Sequence, residues 1–171
     1  MARNTSGIKN LTFLKDSNTN FDNILDSMHT LVDPHVELAD TAAISLTEAT
    51  HGYKTCIIPN VGQDTTLTLP TPKADLWFHL LYFGALATDG HDVLIKTETQ
   101  NTDFFHGGVI HHDTAQTGQT SAMVFGDGDS NDVFNLQLGQ AMDVWIRGKS
   151  TTSWYIWGWT AGDTPVEIAD S

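Results

Sequence analysis

From about residue 41 onward the chain never holds an apolar period long enough for a helix. It runs instead as short apolar stretches: "YKTCIIP", "TTLTLP", "LWFHLLYF", "HDVLIKT", "DFFHGGVIHH", "TSAMVFG", "DVFNLQL", "MDVWIRG" and "SWYIWGW". Polar turn clusters separate them, among them "NVGQD", "ATDG", "TAQTGQ", "GDGDSND" and "GKSTT". Strands this short, recurring at roughly 8–12-residue spacing, predict an antiparallel β-sandwich or barrel. No Gly-rich phosphate loop and no βαβ unit occurs, which argues against a nucleotide-binding sheet.

Two of these strands are apolar on both sides. In "SWYIWGW", Tyr155, Trp157 and Trp159 share one face, and Trp154, Ile156 and Gly158 share the other. In "LWFHLLYF", Trp77, His79, Leu81 and Phe83 oppose Phe78, Leu80 and Tyr82. A strand with one wet face alternates apolar and polar. The pattern therefore predicts that Tyr155, Trp157 and Trp159 lie either between two layers or against a second subunit. Exposed Trp and Tyr also stack on sugars, so a carbohydrate-binding module is the functional alternative.

The first 40 residues follow another rule. Phe21, Ile24, Leu25, Met28, Leu31 and Val32 fall at helical spacing, and Pro34 stops the run. Upstream, Ile8, Leu11, Phe13 and Leu14 also need cover. Residues 1–40 thus read as an N-terminal arm with one short amphipathic helix, and 41–171 as the β-domain. Residues 1–15 carry +3 and the remainder −16, for a net charge of −13. A small basic arm precedes an acidic body, which fits either a solvated tail or an arm that docks on a partner.

Candidate chemistry is sparse. "GDGDSND" resembles the opening of a calcium loop, with Asp127, Asp129 and Asn131 as ligands. Counted from Asp127, however, the twelfth position is Leu138, where an EF-hand needs a bidentate Glu. Asp, Asn and Gly there also suit a tight hairpin turn. His106, His111 and His112 with Asp113 offer a two-His-one-carboxylate set. In a strand, however, His111 and His112 point to opposite faces, and Gly107 and Gly108 predict a bulge that leaves the facing of His106 open. No Gly-x-Ser-x-Gly elbow occurs. The single cysteine, Cys56, reads as a small buried apolar residue and cannot form an internal disulfide. No catalytic residue, metal or cofactor is expected.

Strong acidity argues against nucleic-acid binding, which needs clustered Lys and Arg. No run of 18 apolar residues suggests a membrane span. The N-terminus lacks the apolar stretch of a secretory signal, and assembly in a cytoplasm is expected.

The stretch "LTEATHGYKTCIIPNVGQDTTLTLPTPKADLWFHLLYF" resembles a recurring opening in structural proteins of tailed bacteriophages, especially those of marine bacteria and cyanobacteria. The matching positions are Leu46, Thr47, Gly52, Asn60, Gly62, Leu69 and Pro70. "GDGDSNDVFNL" and "WYIWGW" are similar to later parts of the same proteins, so the resemblance covers about residues 45–160. It implies a capsid decoration (cement) protein: a non-catalytic β-domain on the outside of a phage head, commonly a homotrimer. Its partners would be the major capsid protein and further copies of itself, and its location the virion surface. The alternative is a tail-fibre or receptor-binding module that recognises glycans. A metal-dependent β-barrel enzyme ranks third.

Overall fold

The computed structural model describes residues 35–83, 90–115, 120–137 and 139–171. The expected helix from Phe21 to Val32 lies outside the described residues. So do the candidate contacts Ile8, Leu11, Phe13, Leu14, Phe21, Ile24, Leu25 and Met28.

The described residues form a β-sandwich. One sheet has seven strands, in the order β1 (His35–Glu37), β3 (Lys54–Ile58), β5 (Trp77–Phe83), β10 (Gly139–Gly148), β11 (Ser153–Gly162), β7 (Phe104–Asp113) and β8 (Ser121–Asp127). The other has five, in the order β12 (Glu167–Ala169), β9 (Val133–Leu136), β6 (Val93–Lys96), β4 (Thr65–Thr68) and β2 (Ala43–Ser45). A single turn of helix, α1 (Glu48–His51), is capped by the Thr47 hydroxyl, which accepts the Thr50 N–H.

The sandwich is as expected, but its sheets are mixed rather than purely antiparallel. The pairs β1–β3, β3–β5, β2–β4, β4–β6 and β7–β11 run parallel. The pairs β5–β10, β10–β11, β7–β8, β6–β9 and β9–β12 run antiparallel. The first six strands alternate between the sheets, so each sheet receives every second strand in the same direction. Proline contributes locally. Pro59 follows β3 directly, and Pro70 and Pro72 lie just after β4. Without an N–H to donate, proline ends a ladder, and the chain leaves its sheet there and crosses over. "KSTT", which has no proline, folds back as the β10–β11 hairpin, with the Lys149 N–H donating to the Ser153 carbonyl at 2.9 Å.

Between the sheets lies the core. Strict alternation sends Phe78, Leu80 and Tyr82 inward from β5, and Trp154, Ile156 and Thr160 inward from β11. Trp154 meets Phe78 at 5.8 Å between ring centroids. The five-stranded sheet answers with Leu67, Ile95, Phe134 and Leu136. Each such side chain contributes about 1.5–3 kcal/mol by leaving water. Cys56 is fully buried, as expected, and burial pushes its thiol pKa up to about 11.

Two expectations change in detail. Strand β1 falls inside the stretch assigned to the arm. It pairs with β3, and the buried Leu38 donates its N–H to the Ile57 carbonyl, so the β-domain begins at His35 rather than residue 41. The glycines of β7 make no bulge. Gly107 takes φ +91, a conformation that glycine adopts without strain, and the register with β11 and β8 runs through Gly107 and Gly108 unbroken.

Candidate functional site

Cross-strand register gathers the outward side chains of the seven-stranded sheet into rows. One row reads Thr55, His79, Trp145, Trp157, Gly108 and Phe125 from β3 to β8. A second reads Ile57, Leu81, Asp143, Trp159, Ile110 and Met123. A third reads Trp77, Arg147, Tyr155, His106 and Asp127. Every exposed large hydrophobic among the described residues belongs to this face or its rim: Tyr53, Phe83, Ile110, Met123, Phe125, Tyr155 and Trp157. Phe125 is 64 % exposed and Trp157 42 %. Four strand spacings by three rows give a patch on the order of 400 Å². The largest apolar patch of a typical monomer is of this order and is often functional.

The patch is ordered by ring contacts. Trp145 stacks on His79 at 4.2 Å and lies parallel to Trp157 at 6.3 Å. Trp77 touches Trp145, and Tyr53 meets Trp77 edge-on. Gly108 leaves bare backbone between Trp157 and Phe125. A Cβ there would sit 2.4 Å from the Val124 carbonyl oxygen and 2.9 Å from the Phe125 ring.

A polar relay crosses the same face. The His79 Nε2 lies 2.8 Å from an Asp143 carboxylate oxygen, and its Nδ1 lies 3.0 Å from the Thr55 hydroxyl. With Nε2–H donated to Asp143, Nδ1 accepts from Thr55. Both ring nitrogens are thus engaged and Trp145 covers one ring face, which fixes the imidazole and ties β3, β5 and β10 together.

At its far side the patch reaches an unpaired edge. The Asp113 N–H donates to the Thr120 carbonyl. Antiparallel alternation then turns the backbone groups of Ser121, Met123 and Phe125 away from β7. Among the described residues no strand lies beyond β8. From Ser121 to Gly126 this edge has no Lys, Pro or acidic residue to discourage pairing.

The anticipated site residues separate clearly. Tyr155 and Trp157 are exposed, whereas Trp159 is half-buried between Phe83 and His112. The three histidines do not converge. His111 is buried on the inner face, its Nδ1 3.0 Å from the Thr160 hydroxyl, and burial lowers its pKa. His112 is exposed on the outer face, and His106 stacks on Tyr155 at the other end of β7.

"GDGDSND" is a turn, as one of the two readings had it. It is no hairpin, however, because β8 and β9 belong to different sheets. Asp127 Oδ1 accepts the N–H groups of Asp129, Ser130 and Asn131, and Oδ2 accepts the Ser130 hydroxyl. These bonds hold the Asp127 carboxyl well below the usual carboxylate range. The Asn131 side-chain oxygen accepts the Asp127 N–H. Of the three candidate calcium ligands, Asp127 and Asn131 thus have side-chain oxygens engaged by the turn itself.

Sequence reasoning missed Trp145, Arg147, Phe125 and the His79 relay. The signal was present in part. "MDVWIRG" alternates Met142, Val144 and Ile146 against Asp143, Trp145 and Arg147, a half-buried strand whose outer side carries a tryptophan between two charges. Comparison with protein-family models, with curated proteins and with solved structures found no match to this chain.

Proposed function

We propose that the chain is a non-catalytic structural protein of a bacteriophage virion that decorates and stabilises the outer surface of the capsid. One observation carries this reading: the exposed large apolar side chains lie on one sheet face that runs out to a strand edge, uncharged from Ser121 to Gly126, which no strand pairs among the described residues. Such a face needs a partner to leave water. The sequence resemblance supplies the class of partner. Copies of the chain meet through the β7–β8 side of the face, around Ile110, Met123, Phe125 and Trp159, and the resemblance sets their number at three. Residues 1–34, with their basic start and their apolar stripe at helical spacing, provide contact with the major capsid protein. Assembly takes place in the host cytoplasm, and the protein resides on the virion.

Co-sedimentation with phage heads tests the proposal. The full chain is expected to bind heads, and a chain beginning at His35 is expected to stay folded but bind at least tenfold more weakly. Equal binding by the two would remove the role given to the arm. An unfolded truncation would make residues 1–34 part of the domain's stability.

A further inference from the structure

One end of the same face differs from the rest. The Lys73–Leu76 turn packs directly on Gly148, where a Cβ would sit 1.9 Å from the Lys73 carbonyl oxygen. The Asp75 N–H donates to the Gly148 carbonyl, and the Gly148 N–H donates to the Leu76 carbonyl. This close approach sets the Asp75 carboxylate against the Arg147 guanidinium. Beside them the Lys149 ammonium lies 5.7 Å over the Tyr155 ring. Asp75, Arg147, Gly148, Lys149, Tyr155 and Trp157 line an open cavity of about 350 Å³, at the small end of ligand sites.

The charge is out of keeping with the molecule. In a chain of net charge −13, this cavity gathers two cations and one carboxylate. The described residues hold three other Lys, and two of these are engaged: Lys73 by Glu48, and Lys54 by the Thr50 carbonyl. The acidic turn at Asp127 lies three strand spacings from Arg147, about 14 Å, and two from Tyr155, and His106 feels both its carboxylates and the Lys149 ammonium. Backbone conformation singles out the same end. Tyr53 and Asp75, two of the three non-glycine residues with positive φ among the described residues, flank Trp77 and Arg147 (φ +61 and +68).

We propose that this cavity binds an acidic saccharide, a hexuronate unit of a polysaccharide. The C–H face of the pyranose lies on the Trp157 ring, beside the edge of Tyr155. Arg147 and Lys149 take the carboxylate, and the Asp75 carboxylate accepts from the sugar hydroxyls. An acidic peptide fits less well. The backbones of β10 and β11 are paired on both sides at Arg147 and Tyr155, so no strand edge is open to add to. A neutral sugar would leave the Lys149 ammonium without a carboxylate to pair with, since Asp75 already takes Arg147. Tyr155 and Trp157 lie on the same exposed face, but none of the cavity residues is among those placed at the contact between copies.

Isothermal titration of the full chain with a short oligogalacturonate tests the site. Saturable binding is expected that weakens with salt. Arg147→Met, Lys149→Met and Trp157→Ala should each reduce it about tenfold or more, with folding checked by circular dichroism. Phe125→Lys, on the other side of the face, should leave it unchanged. A neutral cello-oligosaccharide should bind at least tenfold more weakly. No binding at millimolar ligand, equal binding by oligoglutamate, or full affinity in all three cavity variants would overturn the proposal.

Discussion

The outward side of the five-stranded sheet reads Ala43, Thr66, Leu94, Asn135 and Glu167 in one row and Ser45, Thr68, Lys96, Val133 and Ala169 in the next. Small, polar and charged residues dominate, and no aromatic ring is present in either row. The outward side of the seven-stranded sheet carries Trp77, Trp145, Trp157 and Trp159. Only Trp154, of the five tryptophans, is in the core. Both sheets close the same core from opposite sides, so the demands of folding are alike. Burying the core needs one apolar face per sheet. The second apolar face of the seven-stranded sheet has no folding task among the described residues, and that surplus is what the proposed contact between copies would cover.

The largest effect should come from the face that both sheets need. Phe78→Ala or Trp154→Ala should destabilise the domain by about 3–5 kcal/mol, measured by denaturant unfolding. Trp157→Ala, on the outer face, should cost far less in the isolated domain. A comparable loss at Trp157 would mean that the outer face is part of the fold rather than a surface for something else.

The next effect concerns association. Phe125→Lys places a charge at the unpaired edge and removes a side chain worth about 1.5–3 kcal/mol per buried copy. Head binding should fall by tenfold or more as avidity is lost. The matched change on the other sheet, Thr66→Lys, should leave it unaltered. Equal losses from both would erase the contrast between the sheets.

Acid should act through three histidines, of which His111, on the inner side of β7, is the most buried. The pKa values of His111, His51 and His106 are lowered in the folded state, each chiefly by burial. The unfolded chain therefore takes up protons first as pH falls. Stability from these groups is full above about pH 6.5 and declines below it. Melting temperature should fall between pH 7 and 5, and His111→Gln should flatten that decline. A melting temperature that rises toward pH 5 would show the opposite shift.

The smallest effect belongs to the turn after β8. Its Asp127 carboxyl has a lowered pKa, so its contribution is present above about pH 4 and lost only as pH falls further. Asp127→Asn should speed amide exchange at Asp129 and Ser130 while leaving the rest of the domain protected. Added calcium should not raise the melting temperature, because the Asp127 and Asn131 oxygens already accept the turn's own donors. A calcium-dependent rise that Asp127→Ala abolishes would restore the metal reading.

Local alternation is legible in the sequence. "LWFHLLYF" and "SWYIWGW" split into two apolar faces in sequence, and they do so in the fold. Period two fixes facing, and facing is a property of neighbours in the chain. Pairing is not. Nothing in "SWYIWGW" says that its neighbour is the parallel β7 on one side and the antiparallel β10 on the other. The alternation of strands between sheets, and hence the mixed topology, depends on such distant choices. The same holds for the candidate sites. Tyr155 and Trp157 were found because their own strand displays them. Thr55, His79 and Asp143 come from three strands, and Asp75 reaches Arg147 only because a turn closes on Gly148.

Sedimentation equilibrium at tens of micromolar most directly tests the claim that the outer face of the seven-stranded sheet is a contact surface between copies. Three samples suffice: the full chain, Phe125→Lys and Thr66→Lys. The expected result is a trimer of the 18.7 kDa chain for the first and third samples and a monomer for Phe125→Lys. A monomeric full chain, or a trimer indifferent to Phe125→Lys, would contradict it.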